Sequence, residues 1–261
     1  MPKEEYFDAS KVVVRQIEKS LAEDMIVKYH YSHKWSLCQV AYGVFYITNK
    51  QSDFFDAIVE KLIGCIVFSQ PAGRSAAASI SDLIKVDECM ELIRLVILDG
   101  YGRNIESFSI SQSLKLLKRD FSHVRAIISY SDTEQNHIGT IYQATNFLFT
   151  GLNSDTNLMP NFSVSLIGPP NYKWMHSRSV SSRWGSHNVE YLKKKIGKTF
   201  WRKKEAGRLR YIYIISDKKT KKEIMKTLKM KILPYPKNCS YNENIEKIVV
   251  DDFITKNQFF G

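Results

Sequence analysis

The stretch that decides the fold reads ELIRLVILDGYGRNIESFSISQSLKLLKR at 91–119 and, after a short polar joint, RAIISYSDTEQNHIGTIYQATNFLF at 125–149. From 91 to 100, Leu92, Arg94, Val96 and Leu98 fall on one side of an extended chain and Ile93, Leu95 and Ile97 on the other. Apolar groups on both sides predict a strand covered on both faces, the environment of a sheet flanked by helices. Arg94 breaks the apolar run, and a charge there needs partners to offset its desolvation. It either satisfies a buried structural carboxylate or serves a site. Gly100, Tyr101, Gly102, Arg103 and Asn104 make a turn, after which Phe108, Ile110, Leu114 and Leu117 share one helical face, with Asn104 placed to cap that helix. The next strand, 124–130, ends just before Ser131 and Asp132, and 137–149 repeats the helical spacing through Ile138, Ile141, Thr145 and Leu148, with Tyr142 beside that face.

Strand, helix, strand, helix in this order predicts a parallel pair, because parallel neighbours need a crossover connection. Arg94, Asp132 and Tyr142 then gather towards the carboxyl ends of the strands, where open α/β sheets hold their ligands. The turn at Gly100 and Gly102 either brings backbone amides to a phosphate or simply reverses the chain.

Outward from this block, Val14, Ile17, Leu21 and Met25 predict an amphipathic helix over 11–28. The aromatic and imidazole-rich YHYSHKW then begins a loop. Apolar runs at 39–47 and 61–69 predict a hairpin whose turn holds Asn49, Gln51, Ser52 and Asp53, and PAGRSAAASIS at 71–81 reads as a small-residue loop or a short helix. After Gly151, NSDTNLMPNF and Pro169-Pro170 interrupt regular structure. LRYIYIIS predicts one more strand, KKTKKEIMKTLK a helix and KILPYPK a terminating turn. So short a strand is expected to join the same sheet, since it cannot sustain a core of its own. The expectation is one domain over 1–261, α/β, with a mixed sheet flanked by helices and a basic elaboration at 171–231.

The net charge of +11 is regional: residues 1–170 carry 16 basic and 19 acidic residues, whereas 171–231 hold 19 Lys or Arg against Glu190, Glu205, Asp217 and Glu223. Such a block suits phosphate contacts and steering of a polyanion. The stretch YKWMHSRSVSSRWGSHNVEYLKKK adds aromatic surfaces and hydroxyls, and Arg178, Arg183, Lys193, Lys194 and Lys195 are its candidate nucleic-acid contacts. The four cysteines, Cys38, Cys65, Cys89 and Cys239, form no C-x-x-C pair, and the amino-terminal residues lack the apolar run of a secretion signal. A reducing, cytoplasmic setting is expected. No window approaches the roughly 20 apolar residues of a membrane span. His30 and His33 could converge in a tight turn and, with Asp132, supply an N/N/O metal set. Orientation of substrate, acid–base work and plain structure are the competing roles for these histidines.

The strings ELIRLVILDGYGRNIES and ISYSDTEQNHIGTIYQATNFLFTG, with HYS at 30–32, HSRS at 176–179, RWGS at 183–186 and the closing PYPK, resemble the phage Mom-like DNA adenine modification family, over about residues 25–237. That family looks like a divergent branch of the N-acetyltransferase fold. The resemblance implies a host-cytoplasmic enzyme that acts on DNA, converts adenine to its N6-carbamoylmethyl form and shields phage DNA from restriction. It places Arg94, Ser107, Asp132 and Tyr142 at the active-site positions, and the fold implies a cofactor site at Gly100, Gly102, Arg103 and Asn104. The usual pyrophosphate loop is not cleanly present there, and acetyl transfer alone does not yield a carbamoylmethyl group. The donor is left open between an acyl-coenzyme and a glycine-derived group, with divalent iron the candidate metal and a homo-oligomer the candidate assembly. The competing readings are an acyl-coenzyme-dependent transferase acting on a protein or small molecule, and a noncatalytic DNA-binding protein.

Overall fold

The computed structural model describes residues 6–51, 56–73, 75–153, 161–238 and 244–250. In chain order the elements are β1 (Val12–Ile17), α1 (Lys19–Tyr29), β2 (Val40–Gln51), β3 (Asp56–Ser69), α2 (Ala76–Ile80), β4 (Cys89–Ile97), α3 (Ile105–Asp120), β5 (Ala126–Asp132), α4 (Thr140–Ala144), β6 (Leu148–Leu152), β7 (Phe162–Ser165), α5 (Ser177–Trp184), α6 (Val189–Ile196), β8 (Phe200–Lys204), β9 (Arg208–Ile214), α7 (Lys218–Lys226) and β10 (Ile245–Ile248). They divide into two compact units. The first comprises Met1–Ser131, Ile138–Gly151 and Leu209–Lys237; the second comprises Asp132–His137, Leu152–Arg208 and Asn238–Gly261. The basic stretch 171–231 is shared between them.

The first unit is built on a mixed sheet of order β1-β2-β3-β4-β5-β9-β6. Strands β1 to β4 are antiparallel, and β4 meets β5 in parallel, as the β4–α3–β5 crossover requires. This is the α/β class expected. On one face α1 sets Ala22, Met25 and Ile26 against Ala41, Cys65, Val67 and Val96; on the other, Ile105 of α3 meets Val12, Val44 and Ile63. Further along the sheet, Ile212 and Ile214 of β9 and Ile224 of α7 close a cluster with Cys89, Ala126 and Ile128. The strand and helix expected from LRYIYIIS and KKTKKEIMKTLK do join this sheet.

Three local expectations need correction. Residues 11–28 are not one helix: Val12–Ile17 pair along their whole length with β2, and the helix starts at Lys19. The β-branched run Val12-Val13-Val14 loses rotamer freedom and crowds its neighbours in a helix, and packs well on the pleated surface of a strand. Leu21, counted on the buried face, is 41% exposed. Asn104 precedes α3 with φ at 70° and makes no side-chain cap; instead the Ser107 hydroxyl donates to its carbonyl at 3.0 Å. A cap needs extended backbone, which the left-handed region does not provide. The helix expected over 137–149 is only Thr140–Ala144, bounded by Gly139 at φ 74° and Asn146 at φ 60°, after which the aromatic run enters β6. The hairpin of β2 and β3 forms as expected, its residues 52–55 lying outside those described, as do 154–160 and Cys239.

The second unit has a three-stranded antiparallel sheet, β10-β8-β7. Helices α5 and α6 place Val180 and Leu192 on Val164 and Phe200. Among the described residues no helix is long and apolar enough to cross a membrane.

Candidate active site

The parallel pairing of β4 with β5 runs only from Cys89 opposite Ala126 to Leu92 opposite Ser129, although both strands continue. On its other side β4 carries a bulge: Leu92 faces Phe68 and Arg94 faces Val67, leaving Ile93 as the extra residue. The two strands therefore part just past Leu92, and side chains serve backbone groups at the fork. The Ser129 hydroxyl donates to the Leu92 carbonyl at 3.0 Å, and Arg94 Nη1 donates to the Ile93 carbonyl at 2.7 Å. Arg94 Nε reaches the Lys34 carbonyl at 3.4 Å, tying β4 to the loop after α1.

Tyr142 comes to the same fork from α4. Its ring is buried against Phe147 and Tyr211, with centroids 5.4 and 5.3 Å away, and its hydroxyl is hydrogen-bonded to Ser129. Burial pushes the phenol up to about 12, the Ser129 bond opposing it and the acidic groups of Tyr31, Glu91 and Tyr211 adding to it. At neutral pH Tyr142 is therefore a proton or hydrogen-bond donor and not a base. Gly139 makes the placement of α4 possible: a side chain there would have its Cβ 2.5 Å from a ring carbon of Tyr211, whose hydroxyl donates to the Ile138 carbonyl.

Arg94 and Tyr142, named from the sequence, thus meet the same fork. The Ser107 hydroxyl fastens the turn before α3. Asp132 belongs to the second unit, where its carboxylate accepts the Glu134 amide at 3.0 Å and caps a short 3₁₀ turn. Ser129, Glu91 and Tyr31 were missed. A lone hydroxyl inside the buried run AIIS was the available signal for Ser129, and a carboxylate opening an apolar strand the signal for Glu91.

Among the described residues no group of three His, Cys, Asp or Glu side chains could hold a metal, so His30, His33 and Asp132 are not assembled as ligands. One ring nitrogen of each histidine is engaged locally. His30 Nδ1 accepts the Ser32 amide at 3.1 Å, and His33 Nδ1 donates to the Val27 carbonyl at 3.0 Å.

The turn named as a cofactor site opens on a cavity of about 710 Å³ at the N-terminus of α3. Gly100 and Gly102 have φ of 89° and 97°. Lys11 and Arg103 line it, but so do Asp8, Asp99 and Glu106. The amides and cations suit a phosphate; the three carboxylates oppose a multiply charged one. The lining fits a polar ligand of mixed character better than a bare diphosphate.

In the second unit the carboxylate of Glu205 organises the start of α5. It accepts from His176 Nε2 at 3.0 Å, the Ser177 amide at 2.6 Å, and the hydroxyls of Ser177 and Ser163 at 3.1 and 3.0 Å. Burial would raise its pKa, yet these donors hold the carboxyl at about 2. The three lysines of α6 are not equivalent: Lys193 pairs with Glu190 at 2.9 Å, Lys195 lies 5.8 Å over the Tyr191 ring, and Lys194 is exposed. All three sit in the last turn, where cations oppose the partial negative charge of the helix end. Arg183 lies 5.0 Å over the Trp184 ring, and Arg178 is exposed.

A family model described as the Mom protein family matches residues 11–237. A protein from Escherichia phage Mu named methylcarbamoylase Mom is 30% identical over 150 residues, 57% of this chain and 56% of that protein. The match thus spans little more than half the length of that relative. Among solved structures, the spermidine/spermine N-acetyltransferase SpeG from Vibrio cholerae, in complex with manganese ions, aligns over 81% of this chain and 97% of its own, with 11% identity and a TM-score of 0.40. A GNAT-family acetyltransferase from Bacillus anthracis aligns over 80% and 98%, with 12% identity and a TM-score of 0.37.

Proposed function

The chain belongs to the Mom protein family, and proceeding from that membership we propose that it is a phage DNA-modifying transferase that converts adenine to N6-carbamoylmethyladenine and so protects the DNA from restriction. The observation that carries the reading is the buried, neutral Tyr142 hydroxyl, bonded to Ser129 at the fork where β4 and β5 part. Forming the product makes one bond from adenine N6 to a methylene carbon and breaks that carbon's bond to its leaving group. N6 must shed a proton and the leaving group must gain one. A phenol held at about 12 suits the second task. A carboxylate suits the first, and Glu91 is the one whose charge Tyr142 feels. In this reading Arg94 neutralises negative charge developing on the donor, and Ser107 keeps the turn at Gly100–Asn104 in shape for the donor. The basic residues of 171–231 hold the DNA, and the adenine is turned out of its stack, since its amino group cannot otherwise be surrounded by protein.

The test is direct. DNA from cells expressing the protein is digested to nucleosides and searched by mass spectrometry for the carbamoylmethyl derivative of deoxyadenosine, which is expected to be present. Its absence, with the protein expressed and folded and a donor available, overturns the reaction.

A further inference from the structure

In the second unit, the sheet has two unlike faces. Phe200 and Val164 point to α5 and α6 and form the apolar core with Val180 and Leu192. Trp201 and Lys203 alternate with Phe200 along β8 and therefore face the other way, opposite Ser165 and Ser163 of β7. On that side the loop after β7 brings Tyr172 and Trp174 into a stacked pair, with centroids 4.9 Å apart and planes 22° apart. Trp201 meets Tyr172 edge-on at 6.4 Å, and Lys203 Nζ stands 5.1 Å over the Trp174 ring. All three rings are only half-buried.

We propose that Tyr172, Trp174 and Trp201, with Lys203 and Lys173 beside them, form a stacking platform for an unpaired strand of nucleic acid. The inference rests on the DNA substrate proposed above and specifies which form of it the second unit holds. Three observations carry it. First, the rings are fixed in advance. The Ser165 hydroxyl donates to the Ile167 carbonyl at 2.7 Å and accepts the Lys173 amide at 2.9 Å, pinning both ends of the loop. Trp201 occupies the space where a Cβ on Gly168 would lie, 2.6 Å from a ring carbon. A platform fixed in this way loses little entropy when it binds. Second, the charge matches: 161–208 hold eleven Lys or Arg against two acids, and both acids are engaged, Glu190 by Lys193 and Glu205 by His176, Ser177 and Ser163. Third, aromatic faces beside lysines serve a base and its phosphate together, but only where the face of the base is exposed, as in an unpaired strand. Trp184, by contrast, packs with the apolar core and is not part of the platform.

The experiment uses the full chain, a labelled short oligothymidylate and a duplex of equal length, with affinities read by fluorescence anisotropy. Trp174→Ala and Tyr172→Ala are each expected to weaken oligothymidylate binding about tenfold, with duplex binding changed by less than about twofold, and Trp174→Phe is expected to retain most of it. Unchanged oligothymidylate binding in a folded Trp174→Ala variant overturns the platform, as does an equal loss for single strand and duplex. Should that variant not fold, the unaltered protein decides. Saturating oligothymidylate is expected to quench its tryptophan fluorescence, and an unaltered spectrum overturns the proposal. Oligothymidylate contains no adenine, so these readouts are independent of modification. Binding without modified adenine sinks the reaction and keeps the platform; the reverse sinks the platform alone.

Discussion

At the scale of single residues, Tyr142 and Ser129 form the pair on which the proposed chemistry turns. The phenol is held at about 12 chiefly by burial, so it stays protonated over the whole range in which a cell operates. Tyr142→Phe keeps the ring that packs on Phe147 and Tyr211 and removes only the hydroxyl. The expected result is a loss of modified adenine of roughly 100-fold, with DNA affinity unchanged. A pH profile of the unaltered enzyme is expected to show no decline from phenol ionisation up to about pH 9. A variant that modifies DNA at the normal rate would remove Tyr142 from the reaction. Tyr142 could be found in the sequence, but its partner could not. Ser129 matters because the β4–β5 pairing stops beside it, and nothing in the sequence of β4 marks Ile93 as a bulge.

At the scale of elements, the β4–α3–β5 crossover was legible because its strands are continuous apolar runs and its helix has an uninterrupted apolar face. The short α4 was not legible. Its spacing continues to Leu148, but Gly139 and Asn146 both adopt left-handed backbone and confine the helix to five residues. That confinement makes a prediction. Gly139→Ala combines a positive φ with a contact 2.5 Å from the fully buried Tyr211 ring, which has no room to retreat. The strained backbone and the overpacking together are expected to cost about 2–4 kcal/mol. Chemical denaturation checks the loss of stability. Because α4 carries Tyr142, modification is expected to fall even at temperatures where the variant remains folded.

At the scale of the whole molecule, the division of charge was plain in the sequence, whereas the division into two units was not. The basic stretch 171–231 reads as one block, yet its residues up to Arg208 belong to the second unit and those from Leu209 to the first. The reason is that LRYIYIIS is more apolar than its basic neighbours and pairs within the large sheet. For the protein as a whole, changing Lys193, Lys194 and Lys195 together to Gln is expected to weaken duplex binding and flatten its dependence on salt, since fewer counterions leave the DNA. The slope is expected to fall by less than three phosphate contacts would give, because Lys193 is paired with Glu190 and Lys195 lies over Tyr191. Titrations at several ionic strengths measure it, and an unchanged slope in the folded variant removes these lysines from the DNA surface.

The shortness of the β4–β5 pairing also has a mechanical meaning. Strands β1 to β4 form one hydrogen-bonded raft and β5, β9 and β6 another, and the ladder that seams β4 to β5 runs over four residue pairs. Beyond Leu92 that seam has no ladder bonds left to stretch, and the Ser129 hydroxyl on the Leu92 carbonyl is the side-chain clasp at its end. The large sheet can thus open along β4 and β5 past Leu92 without a ladder bond being broken, and local opening there costs less than it does where two strands stay paired along their length.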